Sequence, residues 1–181
     1  MKKILIVGDS QSVNPGAAAE RKLKALGYET KRVSNVGMGP YDYVRIADLW
    51  KQYTSAVTTF HPDLIVLIFG SNDAPNKNLK EALTKLKNNV KPKVILTGPP
   101  RYPDPEHQAL GEKIRVVYAG VFTTSYFDSY PYTDPKLSRA ADGLHLTVSG
   151  AATWGAAIAV EVTRRTPIGT PSPAPQNGSP R

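Results

Sequence analysis

Three short polar segments of this 181-residue chain contain side chains that could carry out acyl transfer. They are residues 8–12 (GDSQS), residues 70–73 (GSND) and residues 142–145 (DGLH). Together they supply a serine, a histidine with a nearby carboxylate, and an amide that can donate a hydrogen bond. Acyl transfer needs a nucleophile, a base, a group that orients the base, and donors that stabilise an oxyanion.

The third segment has the spacing of an oriented base. Asp142 lies three residues before His145, so its carboxylate can accept from one ring nitrogen while the other nitrogen faces Ser10. The remaining histidines, His61 and His107, are expected to be exposed and to have no such carboxylate partner. Ser10, Asp142 and His145 are therefore the candidate catalytic residues.

Candidate oxyanion donors occur in two further places. The side chain of Asn72 can donate a hydrogen bond, and so can a backbone N–H in residues 35–39 (NVGMG), where glycine lets a ligand approach closely. Gly37 and Gly39 are both candidates for that backbone donor. The N–H of Ser10 itself lies at the mouth of the turn that follows the first strand.

The order of apolar segments predicts an α/β fold. We expect a doubly wound, mostly parallel five-stranded sheet with helices on both faces, a flavodoxin-like three-layer sandwich. In such sheets ligands bind beyond the carboxyl ends of the strands, where Ser10 and Asn72 fall. The predicted strands are 3–7, 29–36, 63–69, 94–97 and 123–126. The predicted helices are 17–26, 41–60, 79–90 capped by Asn78, 106–121, and a last helix capped by Thr147 with Ala151, Trp154, Ile158 and Val162 inward.

The composition is that of a globular protein, with 40% hydrophobic and 21% charged residues. The absence of cysteine excludes disulfides, thiolate metal sites and a cysteine nucleophile. A net charge of +8 favours anionic surfaces, but the basic residues are scattered and the densest group lies on a predicted helix. We therefore expect a solvated helix face, no nucleic-acid partner and no membrane insertion.

Two domain-level predictions concern the ends of the chain. Residues 1–165 should form the folded domain, whereas residues 166–181, rich in proline and small polar residues, should be a disordered tail or a linker to a fused domain. The apolar run 4–7 is too short for a signal peptide and is interrupted by Asp9. As given, the chain is expected to be cytoplasmic, or to be one domain of a larger or differently exported protein.

The conjunction of these segments resembles the SGNH hydrolases, the superfamily of GDSL-type esterases. That family has a serine in a G-D-S block, a glycine in an N-x-G block, an asparagine in a G-x-N-D block and a D-x-x-H block near the C-terminus. The resemblance covers about residues 3–163, although the first block reads GDSQS instead of GDSL. The N-x-G spacing implies Gly37 instead of Gly39.

The resemblance implies a serine esterase that needs no metal or cofactor. Ser10 would attack the ester, His145 would move the proton, Asp142 would orient the imidazole, and Ser10, Gly37 and Asn72 would form the oxyanion hole. Tyr41, Arg101 and Tyr102 are candidate substrate-binding residues, because tyrosine and arginine suit a polar alcohol. We expect a small acyl group, such as O-acetyl, on a carbohydrate or cell-wall polysaccharide.

Two other functions remain open. A lysophospholipase or thioesterase would use the same catalytic residues on a different acyl group. A non-catalytic carbohydrate-binding or attachment module could keep the fold without the chemistry. A phosphate-binding α/β domain is disfavoured, because GDSQS lacks the glycine-rich phosphate-binding patterns.

Overall fold

The computed structural model describes residues 1–168. Its strands are β1 (Lys3–Gly8), β2 (Glu29–Ser34), β3 (Leu64–Ile68), β4 (Lys93–Thr97) and β5 (Tyr126–Phe127). Its helices are α1 (Val13–Ala25), α2 (Pro40–Arg45), α3 (Ala47–Phe60), α4 (Lys77–Asn88), α5 (Pro105–Phe122) and α6 (Ala152–Arg165). The strands form one parallel sheet in the order β2-β1-β3-β4-β5. The predicted fold class is confirmed.

The central strands are apolar on both faces because each face is covered by helices. Leu5 and Val7 of β1 belong to one core with residues of α2, α3, α4 and α5. Ile4 and Ile6 belong to a second core with α1 and α6. Burial of each such side chain contributes about 1.5–3 kcal/mol. This explains why β1 and β3 read as continuous apolar runs in the sequence.

The single helix predicted over residues 41–60 is wrong. The chain forms α2 and α3 with a corner at Ile46, whose backbone is extended (φ −86°, ψ 115°). The corner lets the two helices bond to different elements, α2 to the end of β1 and α3 to the neighbouring helix α4. Tyr43 of α2 donates to the carbonyl of Gly8 at 2.9 Å, and Tyr53 of α3 donates to the carbonyl of Leu86 at 2.9 Å.

Both predicted helix caps differ from the structure. The side chain of Asn76, not Asn78, accepts from the N–H of Leu79 at 3.2 Å, so α4 begins two residues earlier than predicted. Thr147 instead accepts from the N–H of Gly150 at 3.2 Å, within the turn that precedes α6. The four residues predicted to point inward from the last helix are all buried: Ala151, Trp154, Ile158 and Val162.

The fifth strand is shorter and later than predicted. Residues 123–125 form a 3₁₀ turn, and only Tyr126 and Phe127 pair with β4. The first residue of the predicted tail contacts the domain, since the carbonyl of Thr166 accepts from the hydroxyl of Tyr28 at 2.8 Å. The rest of the tail prediction, from residue 169 onward, lies outside the described residues. No helix within residues 1–168 has the length and apolar character needed to cross a bilayer.

The close packing of the ends of β1 and β3 determines the position of the turn that carries Ser10. A side chain at Gly8 would collide with the carbonyl oxygen of Ile68, only 1.9 Å from an ideal Cβ. Without one, β1 and β3 run together to their ends, and the N–H of Asp9 donates to that carbonyl at 3.3 Å. The turn at Ser10 therefore lies beside the loop that follows β3.

Candidate active site

Ser10, His145 and Asp142 form one hydrogen-bonded chain at the carboxyl edge of the sheet. Nε2 of His145 lies 2.7 Å from Oγ of Ser10, and Nδ1 of His145 lies 2.6 Å from Oδ2 of Asp142. The segments joined in this way are 135 residues apart in sequence. The arrangement can remove the proton of the serine hydroxyl and hold the resulting imidazolium beside a carboxylate.

The carboxylate of Asp142 is fixed by its own turn. Oδ1 accepts from the backbone N–H groups of Leu144 and His145, at 2.8 and 3.0 Å, which leaves Oδ2 for the imidazole. The hydrogen bond from the imidazole of His145, followed by these backbone bonds, lowers the pKa of Asp142 to about 2. Asp142 is therefore ionised at neutral pH, as a group that stabilises an imidazolium must be.

Asn72 is held by a second, buried carboxylate. Oδ2 of Asp9 accepts from Nδ2 of Asn72 and from the N–H of Gly70, each at 2.7 Å, while Oδ1 accepts from the N–H of Gln11 at 2.8 Å. An amide nitrogen carries two hydrogens, so Nδ2 of Asn72 retains one for another acceptor. Asp9 thus joins the Ser10 turn to the loop that carries the candidate amide donor.

Burial strongly affects the pKa of Asp9. Its side chain is fully buried, and desolvation raises its pKa to about 6, although the three hydrogen bonds and the nearby His145 act in the opposite direction. The ionised form is therefore held at a cost that its hydrogen bonds only partly offset. No role for Asp9 was predicted from the sequence, because its partners Gly70 and Asn72 are more than 60 residues away.

The two candidate glycines have different environments. Gly39 donates its N–H to the carboxylate of Asp42 at 3.1 Å, and an ideal Cβ there would lie 2.4 Å from the carboxylate of Asp73. Gly37 has a φ of +76°, a conformation that favours glycine, and lines the cavity next to Ser10. The N–H of Gly39 is occupied, whereas Gly37 is placed beside the nucleophile.

A cavity of about 250 Å³ lies over these groups. It is smaller than the roughly 300–1,000 Å³ of pockets that take drug-sized ligands. Three aliphatic side chains, Val36, Leu110 and Leu144, contribute to its wall. The other lining residues are Ser10, Gln11, Gly37, Gly70, Ser71, Asn72, Tyr102, His107 and His145.

The three predicted substrate-binding residues have different positions. Tyr102 is buried, lines the cavity and has its hydroxyl 3.1 Å from the donor Oγ of Ser71. Arg101 lines a neighbouring cleft that Tyr102 also borders. Tyr41 is not among the residues that line either space, and the guanidinium of Arg45 lies over its ring, with Cζ 5.8 Å from the ring centroid.

The prediction that His107 has no carboxylate partner is wrong. Nδ1 of His107 lies 2.7 Å from Oδ1 of Asp104, and the ring lines the cavity beside Ser10. Asp104 and His107 have the same three-residue spacing as Asp142 and His145, so the signal was present in the sequence. The proline-rich context argued against it in the sequence, but in the structure Pro105 begins helix α5 and Asp104 is the N-cap of that helix.

Residues 1–168 contain no group of three or more histidine, cysteine, aspartate or glutamate side chains placed to hold a metal ion.

Comparison with known proteins identifies the fold. No protein-family model and no curated protein sequence matches the chain. Among solved structures, a carbohydrate acetylesterase from Sinorhizobium meliloti is 16% identical with a TM-score of 0.68, covering 91% of this chain and 100% of that one. An aryl esterase from M. smegmatis is 17% identical with a TM-score of 0.67, covering 91% and 99%. A GDSL-like lipase candidate from Parabacteroides merdae is 15% identical with a TM-score of 0.65, covering 90% and 95%. The resemblance to the SGNH hydrolases is confirmed at the level of the fold.

Proposed function

We propose that the protein is a serine esterase that hydrolyses a small acyl ester, O-acetyl in particular. The observation that carries the proposal is the chain of hydrogen bonds from Ser10 through His145 to Asp142, at 2.7 and 2.6 Å. In the first step Oγ of Ser10 attacks the ester carbonyl while its proton passes to Nε2 of His145. Asp142 stabilises the imidazolium that forms.

The second step releases the alcohol. The tetrahedral oxyanion would be stabilised by the second amide hydrogen of Asn72 and by the N–H groups of Gly37 and Ser10; loss of one such donor typically costs roughly 3–4 kcal/mol. Collapse of the intermediate expels the alkoxide, which takes the proton from His145. Water then attacks the acyl-serine, with His145 again accepting and returning a proton, and releases the carboxylic acid and free Ser10.

The size and lining of the cavity support a short acyl group. A volume of about 250 Å³ is shared by the acyl group and the reacting atoms, and only Val36, Leu110 and Leu144 offer aliphatic wall. Each buried methylene of a longer acyl chain would gain about 0.8 kcal/mol only where such a wall continues. The name of one structural neighbour, a carbohydrate acetylesterase, is consistent with an acetyl group, and that of another, an aryl esterase, is consistent with ester hydrolysis.

The test is a series of p-nitrophenyl esters from acetyl to octanoyl, assayed on the wild-type protein and on Ser10→Ala. We expect kcat/KM to be highest for acetyl and activity to be lost in Ser10→Ala. A tenfold or greater preference for octanoyl would favour a lysophospholipase or thioesterase instead. Absence of Ser10-dependent hydrolysis across the series would favour a non-catalytic binding module on this fold.

A further inference from the structure

The second aspartate–histidine pair is not used in the proposed reaction. His107 and His145 line the same cavity, yet Nε2 of His145 meets Ser10. Within residues 1–168, the only hydrogen bond of the His107 side chain is the one from Nδ1 to Asp104. The cavity therefore contains one imidazole engaged with the nucleophile and another whose second nitrogen is free for a ligand.

The bond to Asp104 determines what Nε2 of His107 can bind. A carboxylate can only accept, so Nδ1 of His107 carries the hydrogen and Nε2 of the neutral ring is an acceptor. A hydroxyl group suits this position, because it can donate to the neutral ring and can also accept from a protonated one. A carboxylate or phosphate would bind only the protonated ring.

The space beyond His107 is polar. Tyr102 lines both the cavity at Ser10 and a neighbouring cleft of about 560 Å³. Helix α5 supplies His107 to the cavity and Gln108, Glu112 and Arg115 to the cleft. The alcohol portion of a bound ester that extends from Ser10 past Tyr102 into this cleft therefore meets charged and amide side chains.

We propose that His107, held by Asp104, is a specificity-determining residue that binds a hydroxyl group on the alcohol portion of the ester. The inference rests on the esterase function proposed above, and it narrows the alcohol to a polyol or carbohydrate that extends past Tyr102 into the polar cleft. His107 positions this alcohol and takes no part in the transfer of the acyl group.

The experiment compares two acetyl esters built on a six-membered ring, a monoacetylated methyl hexopyranoside, which carries further hydroxyl groups, and cyclohexyl acetate, which carries none. In His107→Phe, which keeps an aromatic ring but removes both nitrogens, KM for the glycoside ester should rise about tenfold, the size expected for one lost hydrogen bond. Its kcat should change less than twofold. Both constants for cyclohexyl acetate should change much less than KM for the glycoside ester, because this ester has no further hydroxyl group for His107 to bind.

Two further variants separate binding from folding. Asp104→Ser retains a residue able to cap α5 but is too short to hold the imidazole, so KM for the glycoside ester should rise by a smaller factor. His61→Asn is the control, because it removes an imidazole from the exposed end of α3, at a left-handed position that asparagine tolerates. It should leave both esters unaffected.

Each outcome is distinct. Equal changes for the two esters, or unchanged kinetics in His107→Phe, would overturn the assignment of His107 while leaving the esterase function intact. If the wild-type protein hydrolyses p-nitrophenyl acetate but not the glycoside ester, the assignment of His107 fails alone; if it hydrolyses none of the three esters and Ser10→Ala is indistinguishable from it, the proposed function itself is wrong. Matching melting temperatures of the variants and the wild type establish that the comparison is made on folded protein.

Discussion

Two aspartate–histidine pairs of equal spacing each place their histidine in the wall of one cavity, and they differ in what surrounds them. Asp142 uses Oδ1 for two backbone N–H groups and Oδ2 for the ring of His145, whereas Asp104 uses Oδ1 for both the backbone N–H and the ring of His107. In both pairs hydrogen bonding from the histidine lowers the pKa of the aspartate.

The difference lies at the other ring nitrogen. His145 meets Oγ of Ser10 at 2.7 Å, while His107 faces the cavity. The three-residue spacing therefore produces an oriented imidazole, and the neighbour of Nε2 decides whether that imidazole can serve as a base.

The largest effect should come from removing the base or the nucleophile. His145→Ala and Ser10→Ala should each reduce kcat for p-nitrophenyl acetate by about 10⁴- to 10⁶-fold, and the double variant should be no worse than either alone. Non-additivity is expected because the two groups act in the same proton transfer. His107→Ala should stay within a few-fold of the wild type, and a loss comparable with that of His145→Ala would remove the distinction between the pairs.

Substitution of Asp142 should also lower kcat more than substitution of Asp104 does, although by a smaller factor than substitution of His145. Asp142→Asn should lower kcat by about 10²- to 10⁴-fold, because an amide cannot stabilise the imidazolium. Asp104→Asn should change kcat less than twofold, since asparagine also caps helices well and His107 does not move the proton. Steady-state kinetics on p-nitrophenyl acetate decide the point, and similar losses in the two variants would contradict it.

A third carboxylate, the buried Asp9, provides a contrast with both exposed ones. Because burial raises its pKa to about 6, the folded protein binds this proton more tightly than the unfolded chain does. Asp9 therefore makes the free energy of unfolding fall as the pH rises from about 4 to about 6. The rise of the Asp9 pKa from its ordinary value of 3.8 to about 6 corresponds to a loss of about 3 kcal/mol in the free energy of unfolding across this pH range.

Substitution of Asp9 by asparagine should remove this component. Urea unfolding of wild type and Asp9→Asn at pH 4, 5, 6 and 7 gives the difference in pH dependence, in which the contributions of other carboxylates cancel. Asp142, whose pKa is lowered to about 2, stabilises the fold less only as the pH falls below about 4. Its titration therefore lies outside the range from pH 4 to pH 7 used here. Parallel curves for the two proteins would show that Asp9 is not the titrating group.

The strands, and the placement of the candidate site residues at one edge of the sheet, could be predicted from sequence because their signals are local. An apolar run followed by GDSQS or GSND predicts a strand that ends in a polar loop, and parallel strands bring such loops to one edge. The helical spacing of apolar residues, another local signal, predicted the inward face of the last helix. Segment boundaries were less accurate, since helix α1 begins at Val13, four residues before the predicted start.

The features that were missed depend on contacts between distant segments. The corner at Ile46 interrupts an apolar pattern that continues through α2 and α3, so periodicity alone cannot locate it. The bonds from Asp9 to the loop after β3 arise only once the sheet is formed. The pairing of Asp104 with His107 was different, because its spacing was visible and only its proline-rich context argued against it.

Labelling by a serine-reactive fluorophosphonate tests the central claim most directly. Ser12 is buried and bonded to Ser34, and Ser71 donates to Tyr102, so neither competes with Ser10 for activation by His145. Mass spectrometry should find the adduct on Ser10 in the wild type and in His107→Phe, and should find almost none in His145→Ala. An adduct on Ser12 or Ser71, or labelling of Ser10 that does not depend on His145, would contradict the assignment.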